Sequence, residues 1–212
     1  MQDQAHVDSW YAATTTGAEA YPPLRGEVET DVCVIGGGYT GLSAAIFLRR
    51  HGYRVTLLEA NKVGWGASGR NGGHVGTGQR AEQDELEKMV GLEHARALWN
   101  LGLEAVETVC ELIAENEIDC ELKTGNLHVA CKAKEVPGLQ QEVEHLSSVY
   151  GYEQMRFVDG DELSQMTSGQ GFHGGILDSG CRHLHPLKYT HGLARAASAA
   201  GAVIHEGSRV LS

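Results

Sequence analysis

Asp31-Val-Cys-Val-Ile-Gly-Gly-Gly-Tyr-Thr-Gly-Leu-Ser-Ala-Ala45 is followed, ten residues on, by Val55-Thr-Leu-Leu-Glu59. An apolar run from Val32 to Ile35 enters Gly36-x-Gly38-x-x-Gly41, a helical stretch follows, and a second apolar run ends on an acid. That order is the dinucleotide-binding fingerprint in its full strand–turn–helix–strand setting. Each glycine has its own task. Gly36 permits the tight turn, Gly38 lets backbone approach a pyrophosphate, and Gly41 lets the helix pack close to the strand. A helix starting near Tyr39 aims its unpaired N–H groups and positive end at the phosphates. Leu42, Ala45 and Ile46 fall on the face turned to the sheet, with Arg49 at its edge. Glu59 is placed to accept hydrogen bonds from the ribose hydroxyls and to repel a 2′-phosphate, which disfavours an NADP-type ligand.

Beyond Glu59 the chain does not continue into further strand–helix units. It enters Asn61-Lys-Val-Gly-Trp-Gly-Ala-Ser-Gly-Arg-Asn-Gly-Gly-His-Val-Gly-Thr-Gly78, in which seven of eighteen residues are glycine. Ala67 and Ser68 add small side chains. A backbone-rich surface of this kind suits a large flat ligand. Trp65, Arg70 and Asn71, interleaved with the glycines, argue against a plain linker.

These stretches resemble the FAD-dependent amine and amino-acid oxidases of the D-amino-acid oxidase, glycine oxidase and sarcosine oxidase superfamily. The nearest likeness is to its gamma-glutamylputrescine oxidoreductase group. Ser9-Trp-Tyr-Ala-Ala-Thr14 and His185-Pro-Leu-Lys-Tyr189 add to it, and Gly64-Trp-Gly-Ala-Ser-Gly-Arg-Asn-Gly-Gly73 is its most selective part. The resemblance implies an α/β fold: a Rossmann-like FAD-binding domain with a partial α+β substrate domain, of the glutathione-reductase type. It places Gly36, Gly38, Tyr39, Thr40 and Gly41 under the FAD pyrophosphate, and Glu59 and Ala60 at the ribose. Gly66, Ala67, Ser68, Gly69, Arg70, Asn71 and Gly72 run along the pyrophosphate and the isoalloxazine ring. Val210, in a late strand around Ser208-Arg-Val, meets the adenine. The implied reaction oxidises the CH–NH bond of an amine or amino acid by hydride transfer to flavin N5. Imine hydrolysis and reoxidation by O2 to H2O2 follow, and gamma-glutamylputrescine is the best single substrate. No catalytic acid or base is assigned. Family members are markedly longer, so the chain reads as an N-terminal fragment whose isolated form binds FAD weakly.

A nucleotide-binding module without redox chemistry, such as a sensor or an RNA-modifying flavoprotein domain, is the competing class. The segment 64–78 favours the oxidoreductase. The net charge of −11 shows no basic patch for nucleic acid and disfavours an anionic membrane surface. Apolar residues make up 42% of the chain, enough for a core. The N-terminus lacks a basic region and a long apolar run, and the odd count of cysteines lacks C-x-x-C spacing. Both point to a cytoplasmic protein with reduced thiols, Cys33 lying inside a buried strand. Partners are a small-molecule amine and O2, with no nucleic acid and no membrane; oligomeric state is open.

The remaining elements follow from periodicity. Residues 1–28 read as an irregular arm, 29–80 as the first part of the FAD-binding domain, 81–183 as an inserted region of the substrate domain, and 184–212 as the return segment. Within the insertion, 81–117 reads as one helix with Leu98, Leu101, Ala105, Val109, Leu112 and Ile113 on its apolar face. Strands are expected at 125–131, 171–177 and 202–204. Helices are expected at 137–150, at 159–166 capped by Asp159, and at 186–200 with Gly201 as stop. Arg182, His183, His185 and His191 form the densest group of basic and imidazole side chains, but without a carboxylate at useful spacing they suggest no metal; His185 instead starts a helix. His74, near the expected ring, is a candidate for covalent flavin attachment, and Arg70 for a pyrophosphate or carboxylate contact.

Overall fold

The computed structural model describes residues 5–211; the first four residues of the expected arm and Ser212 lie outside them. The chain folds into two compact units. One comprises Met1–Gly73, Cys110–Glu121 and Leu184–Ser212; the other comprises His74–Val109 and Leu122–His183.

The first unit is built on a parallel sheet of β1 (Val32–Ile35), β2 (Val55–Leu58) and β7 (Val203–His205), in the order β1-β2-β7. Val32 pairs with Val55, and Thr56 with Val203. Between β1 and β2 runs α2 (Tyr39–Arg50), which buries Leu42, Ala45 and Ile46 as its periodicity requires. Arg49 at the edge of that stripe donates from Nε to the Ala200 carbonyl at 2.9 Å. Helix α7 (Pro186–Ala199) is buried on nearly every side, a pattern its Ala- and Gly-rich sequence allows. A Cβ at Gly192 would run into the Ile118 side chain. Gly201, at φ +93°, follows this helix as expected.

Three expectations for this unit are corrected. The arm contains a short helix, α1 (Trp10–Thr14), because Ser9 caps it by accepting from the Ala12 N–H at 3.2 Å. Residues 208–210 form no strand; the strand ends at His205, and Glu206 and Gly207 turn the chain away. Cys33 is exposed, not buried, since β1 alternates half-buried and exposed positions; Ile35 beside it is 68% exposed.

The second unit centres on a long strand, β6 (Gly174–His183). It pairs antiparallel with β4 (Lys123–Val129) on one side, and with β3 (His74–Val75) and β5 (Met155–Asp159) on the other. Helices α3 (Gln83–Val90), α4 (Leu92–Glu115), α5 (Val136–Tyr150) and α6 (Gly160–Met166) complete the elements; the last turns of α4 belong to the first unit. Leu139 of α5 packs with Ala130 and Ile176. Leu146 of α5 packs with Trp99 and Tyr152. Asp159 caps α6 as expected, accepting from the Glu162 N–H at 2.9 Å.

The single helix expected over 81–117 is two. Gly91 has φ +80° and ψ 159°, a conformation that breaks α3 from α4. The apolar face also differs: Leu101 is 56% exposed, and Ala95, Trp99 and Gly102 are buried instead. Strand β5 was not expected, and β6 runs six residues beyond the expected end at 177. Its second half reads as polar in sequence, yet Asp178 and Cys181 are both buried there, the Cys181 thiol donating to Asp178.

Candidate functional site

The turn between β1 and α2 is held by backbone. Gly36, at φ +105°, donates its N–H to the Leu58 carbonyl at 2.9 Å, so the end of β2 fixes the start of the turn. A Cβ on Gly41 would collide with the Gly36 carbonyl oxygen, so only glycine permits the helix to leave the strand at this angle. A Cβ on Gly38 would stand 2.8 Å from the Ser68 hydroxyl.

Glu59 lies over this turn and not in bulk solvent. Its Oε2 accepts from the Gly37 N–H and its Oε1 from the Asn61 N–H, each at 2.7 Å. Two amide donors to one carboxylate fix its position over the turn. Ala60 is half-buried beside it.

The 61–73 loop is fastened to the turn. Gly64 donates its N–H to the Gly37 carbonyl at 2.9 Å. Ser68, in a 3-10 turn over Ala67–Gly69, accepts from the Tyr39 N–H at 3.1 Å. Among the described residues the other first-turn amides of α2, those of Thr40 and Gly41, have no protein acceptor. Asn71 acts as the loop's clasp. Its Oδ1 accepts from the Gly73 N–H at 2.8 Å, and its Nδ2 lies 3.1–3.2 Å from Tyr39 Oη and the carbonyls of Ala67 and Ser68. Burial raises the Tyr39 phenol above its ordinary pKa, so it stays protonated and donates to the Pro186 carbonyl at 3.3 Å. Gly69 and Gly73 are required by contact: Cβ atoms there would strike the carbonyls of Gly64 and Leu184. Gly66, Ala67 and Gly72 leave their backbone exposed.

The Arg70 guanidinium lies over the Trp65 ring at 4.3 Å, a cation–π contact. Val210 is on irregular chain, 37% exposed, although Ser208 next to it donates its N–H to the Glu59 carbonyl at 2.8 Å. His74 is exposed on β3, opposite His183. His185 caps α7, its Nδ1 accepting from the Lys188 N–H at 3.2 Å, and burial lowers its pKa. Among the described residues, no group of three or more His, Cys, Asp or Glu side chains is placed to hold a metal ion.

Glu206 escaped the sequence reading. It is 5% exposed, accepts from the Val63 N–H at 2.8 Å and pairs with Lys62 Nζ at 3.1 Å. It therefore ties the loop to the end of β7. Its only sequence signal is an acid directly after an apolar strand, the same signal that marks Glu59.

Residues 31–212 match the DAO family, described as FAD dependent oxidoreductase. This chain belongs to that family. It is 42% identical over 203 residues to the probable oxidoreductase OrdL of Rhizobium meliloti (strain 1021), covering 96% of this chain and 47% of the relative. It is 36% identical over 205 residues to the gamma-glutamylputrescine oxidoreductase of Escherichia coli (strain K12), covering 97% and 48%. This DAO-family chain thus spans about half the length of the curated relatives it matches. Among solved structures, L-amino acid deaminase from Proteus myxofaciens superposes with TM-score 0.65 at 23% identity, over 91% of this chain and 40% of that one. Glycine oxidase from Bacillus cereus gives 0.64 at 21%, over 84% and 46%. Both likenesses support the mixed α/β fold. The family is FAD-dependent, and the glycine turn fits such a group: no atom lies within 4 Å of a Cβ built on Gly36, and the donors of Thr40 and Gly41 are unspent.

Proposed function

We propose that this chain carries the Rossmann-like FAD-binding part, of glutathione-reductase type, of a cytoplasmic amine or amino-acid oxidase. The observation that carries the reading is the Glu59 carboxylate clamped to the Gly37 amide beside the unspent amides of Thr40 and Gly41. The two amides and the positive end of α2 bind the pyrophosphate. Glu59 keeps acceptor capacity for ribose hydroxyls while its backbone donors hold it oriented. Ala60 borders the sugar, and Val210 follows Ser208 toward the adenine. Gly66, Ala67, Ser68, Gly69, Arg70, Asn71 and Gly72 line the ring and phosphate path, with Asn71 setting the loop's shape. FAD, when bound, supplies the electron-accepting chemistry that oxidises a substrate CH–NH bond and passes the electrons to O2, giving H2O2. The residues named here bind and orient; none is assigned a proton transfer.

The substrate proposed is gamma-glutamylputrescine, which the Escherichia coli relative's name supports. The test is a panel of primary and secondary amines with peroxide detection on the full-length protein. Turnover best with gamma-glutamylputrescine is the expected result, and no turnover of any amine removes the enzyme reading. Glu59→Ala in the same protein is expected to lower flavin retention about tenfold or more, the loss of one charged hydrogen-bond acceptor. Unchanged retention overturns the cofactor site.

A further inference from the structure

Two stretches that carry the family likeness, Ser9-Trp-Tyr-Ala-Ala-Thr14 and His185-Pro-Leu-Lys-Tyr189, lie far apart in the chain and outside the glycine turn. Within the first unit they meet. The Tyr11 and His185 rings stand edge to face, with centres 5.1 Å apart and planes at 72°. Thr14 Oγ1 stands 2.9 Å from His185 Nε2. His185 is 5% exposed, so the contacts around its ring decide where its protons sit.

Those contacts run in one direction. Nδ1 accepts from the Lys188 N–H in the first turn of α7, so it carries no proton. Burial, helped by Lys188 and opposed by Glu121, keeps the ring uncharged at neutral pH. Its one proton is therefore on Nε2 and is donated to Thr14 Oγ1. Thr14 donates its own hydroxyl hydrogen to the Trp10 carbonyl at 2.6 Å. The opposite tautomer would face the Lys188 N–H with a second donor and leave α7 without its cap. Thr14 thus selects the form of His185 that caps the helix.

The helix so capped supports the 61–73 loop. Leu184 donates its N–H to the Gly73 carbonyl at 2.9 Å. Thr190 Oγ1 lies 2.8 Å from the Pro186 carbonyl and 3.3 Å from that of Ser68. Leu187 packs so closely that a Cβ on Gly64 or on Gly69 would stand 3.0 Å from its methyl group. Pro186, Leu187 and Thr190 all lie at the end of α7 that His185 caps, so a shift of that end moves the loop with it. We propose that Thr14 and His185 are positioning residues for this loop: α1 latches the His185 ring in the form that caps α7, and the start of α7 holds residues 64–73 in shape. The consequence for flavin rests on the cofactor site proposed above; the latch itself does not.

The test is hydrogen–deuterium exchange read by mass spectrometry on the full-length protein stripped of flavin, with flavin retention measured on the same variants before stripping. Thr14→Val keeps the side chain's shape and removes the acceptor. Exchange over 61–73 is expected to rise about tenfold, the loss of one hydrogen bond to a buried ring, while exchange over β5 in the second unit stays unchanged. Thr14→Ser keeps the hydroxyl and is expected to restore the wild-type rate. His185→Asn keeps a capping side chain without the imidazole bond to Thr14, so Thr14→Val is expected to change nothing further in that background. Unchanged exchange over 61–73, an equal rise over β5, no rescue by serine, or the same tenfold rise in the His185→Asn background would each overturn the latch. Flavin retention is expected to fall in Thr14→Val and to recover in Thr14→Ser, and equal retention overturns the link from latch to cofactor. Wild-type protein that holds no flavin removes the cofactor reading, and the exchange rates still decide the latch.

Discussion

Gly41 is the residue at which the glycine turn is most exposed to a single change. The obstacle to a side chain there is the Gly36 carbonyl, which is backbone and flanked by two fixed amides, the Gly36 N–H donating to the Leu58 carbonyl and the Gly37 N–H to Glu59 Oε2. Gly41→Ala should therefore lower unfolding stability by about 1–3 kcal/mol, the usual cost of overpacking. Denaturant melts of the two chains measure it, and an unchanged midpoint would show that the turn relaxes freely. Glu206 offers a contrasting case, since its loss removes a partner without adding an atom. Glu206→Ala leaves the buried Val63 N–H without its acceptor and should cost about 1–3 kcal/mol. Glu206→Gln, which keeps an acceptor, should cost less, and equal losses for the two would refute the assigned bond. His191 predicts a pH dependence. Burial, helped by His6 and Arg195 and opposed by Glu206 and the Val63 backbone, pushes its pKa down to about 4. The unfolded chain then takes up a proton near pH 6.5 that the folded chain refuses, so stability falls on acidification between those values and is flat above them. From pH 7 to 5 the loss is on the order of 2 kcal/mol. Thermal melts at the two pH values should show a smaller drop in His191→Gln; an identical drop would assign the effect to other groups. The glycine turn and the position of Glu59 beside it were legible in sequence because they follow from local backbone geometry. Glu206 and His191 were not, because their partners lie far along the chain.

At the scale of elements, the junction of α3 and α4 shows where periodicity misleads. Apolar residues recur at helical spacing on both sides of Gly91, and nothing in that spacing reveals a break. What breaks the helix is a backbone conformation, φ +80° with ψ 159°, that is essentially restricted to glycine. Gly91→Ala should therefore lose about 1–3 kcal/mol of stability even though no atom lies within 4 Å of the added Cβ. A helical glycine replaced by alanine would instead gain stability, so the sign of the change in a urea melt distinguishes a break from a continuous helix. The same locality explains which elements could be read. β1, β2 and the start of α2 were placed to within a residue, because strand, glycine turn and apolar stripe each leave a local mark. The short helix at Trp10 and strand β5 were missed: the first depends on one serine cap, and the second on pairing with β6. The exposed Leu101 shows the further limit that spacing finds a helix before it finds which face is covered.

For the whole molecule, the sequence order of segments conceals how the two units are assembled, since each is built from stretches far apart in the chain. Family resemblance supplied the expectation of such an interleaving, and local propensity alone does not contain it. The five cysteines sample both units and give a readout of the fold. No disulfide links them; Cys33 and Cys131 are exposed, Cys110 is intermediate, and Cys120 and Cys181 are buried. Reactivity follows access and thiolate character. Cys181 is disfavoured on both counts, because its thiol donates to Asp178 at 3.0 Å and burial with that carboxylate pushes its pKa up to about 11. Brief treatment of the native chain with N-ethylmaleimide at neutral pH, followed by mass spectrometry, should label Cys33 and Cys131 first and Cys110 more slowly. Cys120 and Cys181 should react only after denaturant is added. The order within the first unit is the informative part. Cys33 lies on β1 beside the exposed Ile35, on a sheet face that the described residues leave uncovered. Fast labelling there confirms that face as solvent-accessible in solution. Protection of Cys33 with Cys131 still reactive would mean that something covers β1, and repeating the reaction across a range of protein concentrations would reveal whether a second copy of the chain is what does so.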